Sequence, residues 1–268
     1  MWREELMPSL LMNIDPELWI VISFVFFVIA TLYAAVGFGG GSSYLALLSL
    51  LGVSFFFMRT NALLCNLIVV SGSSVLFYKN KLISFKEIFP FIITSIPMTF
   101  VGAILRLEET LFFIILGITL IASALALFWQ TFSTKNETET AIQYPTYFNY
   151  VLGGAIGLLS GLVGIGGGVF LAPILNHLKW GKPIKIAGLT AFFIFANSIS
   201  GLIGLAAKNT LEVSYTLTLP LLLAVFLGGQ LGVRYSIKKN SSKFIKIFTG
   251  ILVFIVGIRI FVLKGLLA

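Results

Sequence analysis

Carboxylates are missing from the places where a membrane protein would use them. All 10 acidic residues, among them Glu17, Glu87, Glu108, Glu109 and Glu212, fall in tails, loops or the ends of apolar runs. The cores of those runs hold none, which speaks against an intramembrane proton relay of Asp or Glu and removes the usual ligands of a cation pathway. An anion loses nothing by this absence, because a nearby carboxylate would repel it. One cysteine, Cys65, leaves no partner for an intramolecular disulfide or a cysteine-based metal cluster, and one histidine, His177, cannot form a His-pair zinc site. With these two side chains and no carboxylate inside the runs, the chain lacks the nucleophile and base of a membrane-embedded enzyme. No nucleotide-binding motif is present. No catalytic residue, metal or cofactor is therefore expected.

What the sequence has in abundance is apolar length. Hydrophobic residues make up 58% of the chain, the mean hydropathy is +1.04 and only 10% of residues are charged, against about 25% in a soluble domain. This describes a polytopic membrane protein whose surroundings are the lipid bilayer. The net charge of +8 comes from basic residues in short loops, which read as topology signals at the membrane surface rather than as contacts to nucleic acid. The first apolar run is flanked by Glu4, Glu5, Asp15 and Glu17. A cleaved secretory signal carries a basic flank, so this run is expected to be retained as a membrane helix.

The apolar runs are interrupted twice by the same motif, Gly37-Phe38-Gly39-Gly40-Gly41 and Gly164-Ile165-Gly166-Gly167-Gly168. Aligning the two copies also brings Gly102 onto Gly229, and a short insertion brings Thr60 and Asn66 onto Thr190 and Asn197. An internal duplication follows. It divides the chain into a polar leader (residues 1–17), a first membrane repeat (18–129), a polar linker (130–147) and a second membrane repeat (148–268). In the first repeat the runs are Leu18 to Val36, Ser42 to Leu51, Asn61 to Phe77, Ile88 to Leu105 and Leu111 to Trp129. In the second they are Tyr150 to Val163, Val169 to His177, Ile186 to Ala207, Val213 to Val233 and Phe244 to Leu263. The short run after each break holds about ten residues, about 15 Å of helix, or half a bilayer.

Broken helices at corresponding places in two halves point to a transporter site near the bilayer midplane. A helix that restarts there offers unpaired amides and a partial positive charge to an anion. The candidate contacts are Gly39, Gly40, Gly41, Ser42 and Ser43 at the first break and Gly166, Gly167, Gly168 and Val169 at the second. Thr60, Asn61 and Asn66, with Thr190, Asn197 and Ser198, are neutral donors able to complete the cavity. Helix packing or hinging is the competing account of the glycine runs, and an interhelical hydrogen bond is the competing account of each polar residue. Gly153, Gly157 and Gly161, and Gly228 with Gly232, recur on one helix face and read as packing surfaces.

Loop charge argues for orientation. If each glycine cluster tips a hairpin that enters and leaves on one side, three further crossings follow in each half and the halves are inverted. With the N-terminus outside, the inner loops then hold twelve of the 18 basic residues, including the lysines at 79, 81, 86, 135, 179, 182 and 185, while Arg59 and five others lie outside. If each broken stretch crosses once instead, the lysines at 79 to 86 move outside and ten remain inside. The positive-inside rule favours the hairpins.

Gly164 to Gly168 followed by Val169-Phe170-Leu171-Ala172-Pro173-Ile174-Leu175, with Gly188-Leu189-Thr190 and Asn197 downstream, resembles the sulfite exporter family of the TauE/SafE type. The likeness runs from about Leu18 to Val262, and the first copy differs in carrying Ala46 where the family usually has proline. The resemblance implies a multi-pass permease of sulfur-containing anions such as sulfite, sulfonates or sulfoacetate in the cytoplasmic membrane. The resulting expectation is an all-α, inverted-repeat secondary transporter working by alternating access on a small anionic substrate. Its drive is a proton gradient or that of the substrate itself. A channel and a non-transporting assembly or receptor protein are the alternatives, and homo-oligomerisation is left open.

Overall fold

Helices begin and end here where local chemistry satisfies their terminal peptide groups. In the computed structural model, which describes residues 16–35, 37–51, 53–105, 108–133, 142, 144–239 and 243–262, the chain forms α1 (Pro16–Ala34), α2 (Gly41–Leu50), α3 (Phe55–Lys79), α4 (Phe85–Ile104) and α5 (Glu109–Ser133). The second half supplies α6 (Thr146–Val163), α7 (Gly168–His177), α8 (Pro183–Ala207), α9 (Tyr215–Lys239) and α10 (Lys243–Ile260). No strand occurs among the described residues. Ser54 caps α3 by accepting from Phe57 N at 3.0 Å, and Pro183 opens α8 at a position where its missing N–H costs nothing. Lys81, Lys179 and Asn209, each at φ near 52°, close α3, α7 and α8 with paired turn-back bonds.

The expected leader lies outside the described residues, apart from Pro16 and Glu17, which open α1. Residues 134–141 and 143 of the expected linker, with Lys135, and Arg106 also lie outside them. Both margins of that linker are helical, since α5 runs to Ser133 and α6 starts at Thr146. Within α1, α3, α4, α6, α8 and α9 lie six segments long and apolar enough to cross a membrane, while α2 and α7 have ten residues each.

The two halves are packed by exchange. α4 lies along α6 and its counterpart α9 lies along α1, while α3 packs on α8 and α5 on α10. Small residues make the first two seams close. Gly153, Gly157 and Gly161 of α6 face the backbone of Phe91, Ser95 and Thr99, and Thr99 Oγ1 donates to Gly157 O at 2.8 Å. Gly228 and Gly232 of α9 face the backbone of Phe27 and Thr31 in the same manner. These glycines are packing surfaces, as their spacing indicates.

Each short helix doubles back. Phe26 of α1 stacks on Tyr44 of α2 with ring centroids 4.6 Å apart, a contact out of reach had the chain continued forward from the break. At the other hairpin Tyr144 Oη donates to Leu178 O at 2.9 Å and Ile142 N to Lys179 O at 3.0 Å, so the start of α6 and the end of α7 meet. That end also collects the α3–α4 loop through an ion pair between Lys185 and Glu87, with Trp180 against Phe91. The start of α1 meets different partners: Trp19 Nε1 donates to Leu217 O at 3.0 Å, and Ser54, just past α2, bonds Glu212.

One loop residue was misplaced by charge counting. Arg59 is not an outer-loop cation; it lies inside α3 and is 4% exposed. The helix starts at Phe55 rather than Asn61, because Phe55 and Phe112 flank the guanidinium and a carbonyl accepts from it, which lets apolar packing continue past the charge.

The α4–α6 seam gives a direct test. A Cβ on Gly157 would sit 2.6 Å from Ser95 Cα, whereas one on Gly154 would sit 3.6 Å from its nearest neighbour, Thr94 Cβ. Gly157→Ala should destabilise the protein by about 1–3 kcal/mol through overpacking. Gly154→Ala should be neutral or stabilising by up to about 1 kcal/mol from helix propensity. Thermal unfolding in detergent reads both.

Candidate functional site

Backbone geometry makes the two breaks. Gly37 ends α1 at φ +86°, its N–H bonding Ala34 O at 3.2 Å while Phe38 N reaches Tyr33 O at 2.8 Å. Gly164 ends α6 at φ +75° with a single bond from its N–H to Ser160 O at 2.7 Å. α2 and α7 then start from Gly40 (φ +90°) and Gly167 (φ +78°), conformations that strain any L side chain. Neither start has a side-chain cap. The third and fourth amides turn back, Ser43 and Tyr44 onto Gly40 O and Phe170 and Leu171 onto Gly167 O. Gly41 and Ser42, and Gly168 and Val169, are left to find acceptors elsewhere.

Gly41 finds one. Asn66, fully buried in the middle of α3, accepts from Gly41 N at 2.8 Å and donates from Nδ2 to Ile165 O at 3.0 Å. One side chain therefore ties the start of α2 to the backbone of the second break. A Cβ on Gly39 or Gly41 would run into this amide, so the glycines admit it.

The second break is not closed in this way. Thr190, Ile194, Asn197 and Ser198 share one face of α8, and this face packs on Gly166 and Gly168: Thr190 Cγ2 lies 2.8 Å from a Cβ placed on Gly168, and Ser198 Oγ 3.2 Å from one on Gly166. Asn197 is the counterpart of Asn66 and is fully buried, yet neither of its amide atoms has a partner. Thr190 Oγ1, Ser198 Oγ and Ser160 Oγ are buried without partners as well. Among the described residues no acceptor reaches Gly168 N or Val169 N. Unsatisfied buried polar groups cost about 1–3 kcal/mol each, and four such side chains gather around the second break, against Tyr44 Oη beside Gly40 at the first.

The remaining candidates are placed as follows. Ser42 is buried beside the first break, but the Ser43 hydroxyl shares a 2.6 Å hydrogen bond with Tyr33 Oη and is occupied. Thr60 does not join the cluster: it lies about 9 Å along α3 from Asn66 and its Oγ1 accepts from Glu212 N at 3.2 Å. Asn61 is bonded to Thr218, through Oδ1 at 2.7 Å. His177 packs its ring on Trp129 at the end of α7, and Cys65 is buried in α3.

Two residues were not read as part of this region from sequence. Ser160 sits among the glycines of α6, where it reads as one more small packing residue. Arg59 is the one charged side chain buried among the described residues. Its Nη2 donates to Gly161 O at 2.8 Å and its Nε has no partner. A lone arginine within the apolar stretch from Val53 to Phe77, with no carboxylate nearby in sequence, was the available signal. Together the second break presents two amides, a carboxamide and three hydroxyls, with a cation close behind; such a set suits a small oxyanion.

Comparison with known proteins points to a membrane transporter. The family model described as sulfite exporter TauE/SafE matches residues 22–260, from α1 to the last residue of α10. The chain is 32% identical over 241 residues to the probable membrane transporter protein y4hK of Sinorhizobium fredii, covering 89% of this chain and 96% of that one. It is 24% identical over 201 residues to the probable membrane transporter protein YunE of Bacillus subtilis, covering 69% and 73%. No solved structure matches it. With the family model spanning both breaks and the helices that hold them, this chain belongs to the sulfite exporter TauE/SafE family and is a multi-pass membrane transporter.

Proposed function

We propose that this transporter is a secondary carrier of small sulfur-containing oxyanions, such as sulfite, a sulfonate or sulfoacetate, moved across the cytoplasmic membrane by alternating access. The observation that carries the reading is the inequality of two equivalent asparagines. Asn66 is fully bonded across the two breaks while Asn197 and the polar groups around it are buried and unpaired. An oxyanion placed at the start of α7 accepts from Gly168 N, Val169 N, the Asn197 amide and the hydroxyls of Thr190 and Ser198. The family supplies the sulfur chemistry; the donor set supplies the charge preference.

The same inequality suggests the transport cycle. The mirror image of the Asn66 bridge is an Asn197 bridge, accepting from Gly168 N and donating to Phe38 O. Exchanging one bridge for the other releases the first break as it closes the second, and the substrate site moves from one half to the other. In an inverted repeat this exchange turns the open side over. Inversion is supported by the two hairpin mouths having different partners, and by the lysines at 79 to 86 and 179 to 185 meeting through the Lys185–Glu87 pair. The positive-inside rule makes that end cytoplasmic. With no nucleotide-binding motif in the sequence, the drive is a proton gradient or the substrate's own.

Three outcomes are expected. In a Cys65→Ser background, Lys81→Cys and Lys182→Cys should both react with an impermeant maleimide from the cytoplasmic face and Lys208→Cys from the opposite face. Labelling of positions 81 and 182 from different faces would sink the hairpin arrangement. For the site, sulfite or sulfoacetate should raise the melting temperature of purified protein at concentrations where chloride does nothing, and Asn197→Ala should weaken that binding by about 10- to 100-fold, the worth of a hydrogen bond to a charged group. Labelled substrate should accumulate in counterflow in liposomes, which a channel does not support.

A further inference from the structure

A buried arginine in a membrane-spanning segment is costly unless something opposes its charge, and what opposes Arg59 is incomplete. Its guanidinium meets the rings of Phe55 and Phe112 at 5.4 and 5.8 Å and one carbonyl, that of Gly161. Its Nε lies buried with no acceptor, 3.2 Å from a Cβ placed on Gly164, and no carboxylate pairs with it among the described residues.

The position matters more than the burial. A helix break sets the negative end of one helix beside the positive start of the next, each with about half an elementary charge. An anion at the start of α7 is attracted by that start and repelled by the end of α6. Gly161 belongs to the last turn of α6, and Arg59 caps it from α3, so the guanidinium opposes the repelling end and leaves the attraction. The first break has no such group: Gly37 faces Ala187, and every other buried polar side chain at either break is neutral.

We propose that Arg59 is the charge-selecting residue of the transporter, a specificity determinant contributed by the first half to the site in the second. This inference rests on the reading that the second break holds an oxyanion. By its chemistry the site favours substrates of higher negative charge, so that sulfoacetate, a dianion, gains more from Arg59 than methanesulfonate, a monoanion of the same sulfonate head.

The test is transport kinetics of the full chain in liposomes, with both anions, for wild type, Arg59→Gln, Arg59→Lys and Phe55→Glu. Gln retains a donor for Gly161 O and removes the charge. Phe55→Glu keeps the arginine and places a carboxylate beside it in the first turn of α3, where an acidic residue suits the helix start. It therefore reads out neutralisation even if Arg59→Gln does not fold. In each neutralised variant the KM for sulfoacetate should rise about tenfold or more and that for methanesulfonate by about threefold or less, the maximal rate changing little, while Arg59→Lys stays within about threefold of wild type. A merely structural capping role predicts an equal loss for both anions, and that result overturns the proposal. So does an unchanged ratio of the two KM values in Phe55→Glu, or an Arg59→Lys variant as impaired as Arg59→Gln. Wild-type protein that neither binds nor transports any of the anions overturns the oxyanion site itself, and this inference with it.

Discussion

A peptide group in the middle of a bilayer has no water to bind, so a helix that stops there must have its ends satisfied by protein or by ligand. Everything distinctive about this structure follows from meeting that condition twice. Positive-φ glycines let α1 and α6 end with turn-back bonds and let α2 and α7 start again within a few residues. Asn66 then removes one deficit at each break by joining Gly41 N to Ile165 O. At the second break Asn197, Thr190, Ser198 and Ser160 keep unpaired polar atoms, and the proposed oxyanion site rests on that deficit.

The rest of the fold keeps the breaks together. Because α4 packs along α6 and α9 along α1, neither half can be pulled away without opening a seam in which glycine lets two backbones touch. Such seams are shape-specific, and along α4 and α6 they are reinforced by hydrogen bonds from Thr94 to Tyr150 O and from Thr99 to Gly157 O. Fully buried Phe26, Tyr33 and Tyr44 stand around the first hairpin, with Tyr33 holding Ser43.

Much of this was legible in the sequence. The all-helical class, the membrane, the place of both breaks and the short return helices after them are written in apolar run lengths and in two copies of a five-residue motif. Gly153, Gly157 and Gly161 announced a packing face by spacing alone. The ends of helices were less legible, because α3 starts six residues before its apolar run seemed to begin, at a serine cap whose charge-bearing neighbour, Arg59, looked like a loop residue. Periodicity carries no information on which polar side chains are already bonded. Thr60 and Asn66 read alike from sequence, yet one is tied to Glu212 N and the other to the breaks. The inequality of Asn66 and Asn197 appears only when their neighbours are in place, since the two residues occupy matching positions in matching helices.

That inequality also explains why a duplicated gene product is useful here. Two equivalent halves that satisfied their breaks equally would have no open site, and two that left both unsatisfied would hold two costly deficits at mid-membrane. In the proposed cycle, one bridge shared between two possible positions would let the larger deficit change sides. The halves need not remain chemically alike for this to work. The first keeps Ser42 and Ser43 where the second has Val169 and Phe170, and it contributes Arg59 across the interface to the end of α6. Divergence of the copies has therefore placed the charge with one break and the bonded asparagine with the other, and in the proposed cycle the two arrangements would differ in their affinity for an anion. A carrier needs that inequality, because a ligand that binds both arrangements equally shifts neither.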